Sequence, residues 1–310
     1  IYSGNHASDY ASELMNNPAT RIALLCLLAI SLQRTVVTAA DSRPNILLIV
    51  GDDMGFADIG IHGCKDIHTP NIDGLANSGT RCTNGYVSGP YCSPSRAGLL
   101  TGRYQTRFGH EFNPAGDAIE NPSAKKKGKK ANTVAAEERR PLGLPLAETT
   151  MADRFKAAGY NTGWVGKWHL GSTLPYVPQS RGFETSFGFL GGAHGYFAEA
   201  KPPLRRQNVP IDEKEYLTDA FKREAIDFIN HQNSDKPFFL YLAFNAVHTP
   251  MNATDDRLAR FQNIENEKRR TYAAMMVAMD EAIGHVLNTL HEKKLDDNTL
   301  VFFISDNGGP

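Results

Sequence analysis

Four apolar runs of strand length, each broken off by polar residues, constrain this chain more than anything else in it. They are Asn45-Ile46-Leu47-Leu48-Ile49-Val50, the short Thr162–Val165, Phe238-Phe239-Leu240-Tyr241-Leu242-Ala243-Phe244 and Leu300-Val301-Phe302-Phe303-Ile304. Continuous rather than alternating apolarity predicts strands buried on both faces. Helix signals fall between them. Thr150 with Asp153 forms a capping box ahead of Phe155 to Ala158, and Gly159 stops that helix. Thr218 is placed to cap a helix carrying Phe221, Ala225, Phe228 and Ile229. Tyr272, Met275, Met276, Met279, Ile283, Val286, Leu287 and Leu290 recur at helical spacing, a core-facing stripe. Strands alternating with helices predict an α/β sandwich with a central, largely parallel mixed sheet flanked by helices.

Ligands of such sheets bind beyond the carboxyl ends of the strands. Three of the runs end in Asp52-Asp53, Lys167-Trp168-His169 and Asp306-Asn307, and His248 follows the remaining one by a few residues. Either acidic pair alone is matched as well by a plain polar turn. Together, Asp52, Asp53, Asp306 and Asn307 offer oxygen donors without thiolate or imidazole, a set that suits a hard cation, Ca²⁺ or Mg²⁺. Lys167 and His169 are alternate residues, so on an extended segment both face one pocket. Cys92-Ser93-Pro94-Ser95-Arg96 supplies a thiol, a tight turn and the start of a helix running through Ala97-Gly98-Leu99-Leu100-Thr101-Gly102-Arg103. The positive field of a helix N-terminus beside Arg96 favours a reactive anion at Cys92 and an anionic ligand.

The 310 residues carry 33 basic and 34 acidic side chains and are 41% hydrophobic. That supports one large domain and argues against nucleic acid as a partner. Residues 1–14 precede Met15 and have no assigned role. Met15, Arg21, the apolar Ile22–Leu32 and Thr38-Ala39-Ala40 predict a signal peptide over 15–40, with export to the periplasm, the exterior or a secretory or lysosomal compartment. No transmembrane span is expected after its removal. Cys64, Cys82 and Cys92 remain; Cys64 and Cys82 either pair or stay as separate thiols. Within the domain 41–310, residues 115–141 hold the run Lys125-Lys126-Lys127-Gly128-Lys129-Lys130 and read as a mobile basic insertion, suited to a sulfated polymer or to plain solvation.

The string from Cys92 to Arg103 resembles the signature of the type I sulfatases, of the alkaline-phosphatase-like superfamily. Gly166-Lys167-Trp168-His169-Leu170-Gly171, Asn245-Ala246-Val247-His248-Thr249-Pro250 and His68-Thr69-Pro70-Asn71-Ile72-Asp73 are similar to further segments of that family, over residues 44 to 310. The resemblance implies that a maturation enzyme oxidises Cys92 to formylglycine. It implies that Asp52, Asp53, Asp306 and Asn307 bind calcium, which the formylglycine also contacts. Lys167 would bind sulfate oxygens, His169 would contact the formylglycine, and His248 would touch sulfate and act as an acid. The hydrated aldehyde would form a sulfated intermediate, release the alcohol and then collapse to expel sulfate. A sulfatase, arylsulfatase-like and acting on sulfate monoesters of sulfated sugars, is the implied function. Tyr104 to Pro114 resembles members acting on such sugars. The family also implies a second lysine downstream of Asp306-Asn307-Gly308 and a smaller C-terminal subdomain, so the chain reads as C-terminally incomplete. The rivals are a phosphate or phosphonate ester hydrolase of the same superfamily, and a remnant that binds sulfated ligands without turning them over.

Overall fold

A computed structural model describes residues 43–114, 142–233 and 235–309, with positions 18, 19 and 22. The rest of the signal segment, 15–40, and the basic insertion, 115–141, lie outside the described residues. Residues 1–40 and 41–310 separate into two units, and the second is the one described below.

Seven strands form one sheet: β1 Asn45–Gly51, β2 Asn161–Lys167, β3 Thr185–Phe189, β4 Arg205–Arg206, β5 Val209–Pro210, β6 Phe238–Ala243 and β7 Thr299–Ser305, in the order β5-β4-β3-β2-β6-β1-β7. The five strands from β3 to β7 pair in parallel, and the short β4 and β5 add an antiparallel edge. Alternate residues feed two cores. Leu47, Ile49, Val165, Leu240 and Leu242 pack with helices α4 (Leu217–Asn230) and α6 (Glu267–Glu292). Ile46, Leu48, Val50, Trp164, Phe239 and Tyr241 pack with Ala97 and Leu100 of α2 (Cys92–Thr101) and Ala152 of α3 (Met151–Ala157). Burial on both faces is what continuous apolar runs require, at about 1.5–3 kcal/mol for each large side chain fully removed from water. Helix α1 (Pro70–Ser78) and the single-turn α5 (Asp255–Leu258) are the remaining α-helices among the described residues of this unit.

The capping box of α3 is present: Asp153 N–H donates to Thr150 Oγ1 (3.1 Å) and Thr150 N–H to Asp153 Oδ2 (2.9 Å). The cap expected at Thr218 is not. Helix α4 begins two residues earlier with Tyr216 as its cap, and Thr218 lies buried inside the first turn. Strand β3 and the β4–β5 edge carry no continuous apolar run. At Gly166 (φ 122°) an added Cβ would lie 1.8 Å from the Ala243 carbonyl oxygen, so strands β2 and β6 meet there only because no side chain intervenes.

Strand β7 differs from its neighbours. It pairs with β1 on one side and has no partner strand on the other among the described residues. Leu300 and Phe302 stand 50% and 51% exposed, where no residue of β1 exceeds 8%.

Candidate active site

Strands β1 and β7 run side by side in register, Gly51 opposite Ser305, so their carboxyl ends deliver two polar pairs to one place. Asp306 N–H donates to Gly51 O (3.0 Å), locking the two exits together, and the Ser305 hydroxyl lies between the carbonyls of Met54 (3.0 Å) and Asn307 (2.6 Å). The chain after β6 joins them: Asp52 N–H donates to Ala246 O and Val247 N–H to Asp52 O. Asp53 sits in the left-handed region at φ 57°. For a non-glycine residue that costs about 1 kcal/mol or more. The turn sends adjacent carboxylates to different neighbours.

The Asp52 carboxylate is fully buried. Its Oδ2 accepts from Lys167 Nζ at 2.6 Å, and its Oδ1 lies 3.5 Å from Arg96 Nη2 and 3.5 Å from Cys92 Sγ. Arg96, also fully buried, sets Nε (3.0 Å) and Nη2 (2.8 Å) on Asp306 Oδ2 and reaches the Lys167 carbonyl and the Tyr241 hydroxyl through Nη1. Burial pushes the Asp52 carboxyl up to about 7 against the pull of Lys167 and Arg96. Burial alone would lower Lys167 and Arg96, but the carboxylates win and hold both above their usual values as fixed cations. Burial alone would raise Asp306; Arg96 and Lys167 outweigh it and hold Asp306 low.

Nearer the surface, Asp53 Oδ1 accepts from Asn307 Nδ2 (2.7 Å), and Asp53 Oδ2 lies 3.6 Å from His248 Nε2. His248 Nδ1 faces the Thr249 carbonyl at 2.5 Å, which places the proton on Nδ1 in the neutral ring and turns Nε2 to Asp53. Burial, and then Lys167, lower the His248 pKa. Tyr196 Oη steadies this loop, its one hydrogen lying between the carbonyls of Asn245 (2.6 Å) and His248 (2.9 Å).

Cys92 opens α2, as expected, but the thiol is not a reactive anion. Burial pushes it up to about 12, with Asp52 and Asp306 adding to the effect while Lys167 and Arg96 oppose it. A helix N-terminus and two cations do not outweigh desolvation when carboxylates are equally close. Lys167 and His169 do not share one extended run either. Strand β2 ends at Lys167, and His169 turns left-handed at φ 59°. The His169 ring packs over Gly192, where an added Cβ would come 2.6 Å from Cε1 and Nε2. Its carbonyl accepts from Ser93 Oγ at 2.6 Å. Cys64 and Cys82 are free thiols.

The donor set fits a hard cation. Candidate ligand atoms of Asp53, Cys92 and His248, and of Asp52, Cys92 and Asp306, lie within 4.8 Å of one another. Three carboxyl groups face two fixed cations, so negative charge is left over. Asn307 Oδ1 is buried without a hydrogen-bond partner among the described residues, its Nδ2 being committed to Asp53. A bare buried acceptor beside carboxylates is a place for a metal ion.

Residues missed from sequence include Tyr196, whose role depends on a fold-back no local pattern announces, and Tyr241, which looks like one more apolar strand residue. His110, in Gly109-His110-Glu111, was visible as a segment but carried no assigned role.

The strand ends of an open α/β sheet thus gather carboxylates, buried cations and a helix-borne cysteine. The sulfatase family model matches residues 44–310, and the chain belongs to the sulfatase family. It is 34% identical over 284 residues to arylsulfatase J of Mus musculus, covering 88% of this chain and 44% of that protein. It is 36% identical to human N-acetylgalactosamine-6-sulfatase, covering 87% and 51%. Among solved structures, Ps i-CgsB superposes with a TM-score of 0.76 at 41% identity, over 86% of this chain and 59% of that one. A complex of Ps i-CgsB with k-i-k-neocarrahexaose gives 0.75 at 40%. The chain spans about half the length of the curated relatives it matches.

Proposed function

We propose that the protein hydrolyses sulfate monoesters of sulfated sugars. The observation that carries this reading is the convergence of Cys92, the Lys167–Asp52 and Arg96–Asp306 pairs and the unpartnered Asn307 oxygen at adjoining strand ends. The similarity to N-acetylgalactosamine-6-sulfatases and to a structure holding a neocarrahexaose supports the sugar class.

Asp52, Asp53, Asp306 and Asn307 would hold a divalent cation, Ca²⁺ before Mg²⁺ because the donors are many and all oxygen. The chemistry supplied from outside the unmodified chain is a formylglycine hydroxyl at position 92, made by a maturation enzyme, and positive charge on the sulfuryl oxygens. The chain's own residues do the rest. Arg96 and Lys167, fixed as cations in a water-poor floor, set the potential that the anionic, tetrahedral sulfate ester meets. His248, half-buried at the rim with Nε2 turned inward, would hand a proton to the departing alcohol from its imidazolium form, since with Nδ1–H held by the Thr249 carbonyl only that form carries hydrogen on Nε2. The His169 carbonyl tethers the end of β2 to the helix that carries position 92. Export through the segment 15–40 belongs to the same reading, since sulfated glycans are extracellular polymers.

The test is a matched pair of aryl sulfate and aryl phosphate on full-length, matured protein. Preferential sulfate turnover that requires the aldehyde at position 92 supports the proposal. Faster phosphate turnover, or full activity with an intact thiol, would overturn it. Binding of sulfated sugars without turnover would point to a remnant.

A further inference from the structure

Behind the cysteine, three fully or nearly fully buried groups from separate segments meet. Ser93 Oγ lies 2.6 Å from the His169 carbonyl oxygen and 2.8 Å from His110 Nε2. A hydroxyl has one hydrogen, and a carbonyl can only accept. Ser93 therefore spends its proton on His169, and His110 must bring a proton on Nε2 to be within bonding distance of the same oxygen. The chain of donors runs one way, from His110 to Ser93 to the His169 carbonyl.

Each end of that chain sits where position matters. Ser93 is the second residue of α2, directly after Cys92. His169 holds a left-handed conformation two residues past Lys167, and its own N–H is donated to Leu190 O (3.0 Å). His110 is anchored through its N–H to Gln105 O (3.1 Å), and Gln105 Nε2 donates to Ser88 O (2.7 Å) on the approach to α2. The relay thus ties the first turn of the cysteine helix to the turn that follows the Lys167 strand, across one buried hydroxyl.

We infer that His110 is a positioning residue: as the Nε2–H tautomer it orients the Ser93 hydroxyl, and that hydroxyl clamps the turn at His169 to the helix carrying the reactive group at position 92. The inference rests on the proposed sulfatase activity for its catalytic consequence, but not for the clamp. The experiment separates the two. On full-length protein, with conversion of Cys92 measured by mass spectrometry so that rates are taken per matured site, Ser93→Ala and His110→Ala are each expected to lower kcat on a small aryl sulfate by about 10- to 100-fold. KM should stay within about twofold, because the substrate's contacts are untouched. The double variant should be no worse than either single, because the two act as one unit. His110→Gln, whose amide nitrogen can donate from the position of Nε2, should recover most of the rate. Wild-type kcat in either alanine variant, losses that multiply, or a glutamine variant no better than alanine would overturn the catalytic role. Two readouts need no turnover. Side-chain ¹⁵N spectra should show a proton on His110 Nε2, and the His169 and Leu170 amides should exchange about tenfold faster in Ser93→Ala. A proton on Nδ1 alone, or unchanged exchange, would overturn the clamp. A wild-type protein that hydrolyses no sulfate ester while passing both readouts would refute the sulfatase reading and the catalytic role, leaving the clamp.

Discussion

The floor and the rim of the site are built on opposite principles. In the floor, Asp52, Lys167, Arg96 and Asp306 are buried and every charge has an opposite within 2.6–3.0 Å. At the rim, Asp53, Asn307 and His248 are only partly buried, Asp53 and His248 stand 3.6 Å apart, and one amide oxygen has no partner. A buried pair is costly to break and contributes little net stability by existing. A half-satisfied rim is inexpensive to alter and has valences left for a ligand. The floor therefore holds a fixed potential and, through Asp52 and Asp306, would supply the inner half of the proposed metal set, while the rim would add Asp53 and Asn307 and meet the substrate.

The comparison is most exposed to Arg96→Met. Asp306 and Asp52 would lose their shared cation in a dry site, and stability should fall by about 3–5 kcal/mol, read from urea unfolding. A loss under about 1 kcal/mol would show that the floor is not a tightly compensated unit. Next in size is the metal. Ca²⁺ at about one hundred times its Kd should stabilise the protein by about 2.7 kcal/mol, seen as a raised Tm that a chelator reverses. Asn307→Ala should shrink that gain, and an unchanged gain would remove Asn307 from the ligand set. Lys167→Ala should cost about 2 kcal/mol, less than the arginine because Arg96 remains 3.5 Å from Asp52. The cost comes from the full burial of Lys167 against Asp52. His248→Ala should be the mildest, within about 1 kcal/mol of wild type, while still lowering sulfate turnover at least about 100-fold. Wild-type turnover in that variant would move the proton donor elsewhere.

The parts of this molecule readable in advance are those written in consecutive residues. Strands β1 and β6 are unbroken apolar runs because both faces are covered; β7 is an equally apolar run although Leu300 and Phe302 stand half-exposed, and the polar pairs follow β1 and β7 at once. Strand β3 escaped notice because Gly188 and polar Thr185 and Ser186 interrupt its run, and backbone pairing with β2 supplies what side chains do not. The cap of α4 was misassigned because Thr218 has the right chemistry but the wrong burial. Candidate site residues were legible through spacing and resemblance. Their electrostatics were not, since the state of Cys92 depends first on its burial and then on Lys167, Asp52 and Asp306, the two carboxylates lying 40 and 214 positions away along the chain. The Ser93–His110 contact is of the same kind: two ordinary residues whose meaning arises only when the chain folds back.

The outer edge of β7 has a consequence for how this chain behaves in solution. An edge that has no partner strand among the described residues, beside half-exposed Leu300 and Phe302, is a surface on which a second strand can grow. Expressed as these 310 residues, the protein is expected to self-associate as its concentration rises, visible as increasing light scattering. A single charge at either apolar position, Leu300→Lys or Phe302→Lys, should suppress that scattering. The strand that carries two of the proposed metal ligands would then also be the one that sets the colloidal lifetime of the sample.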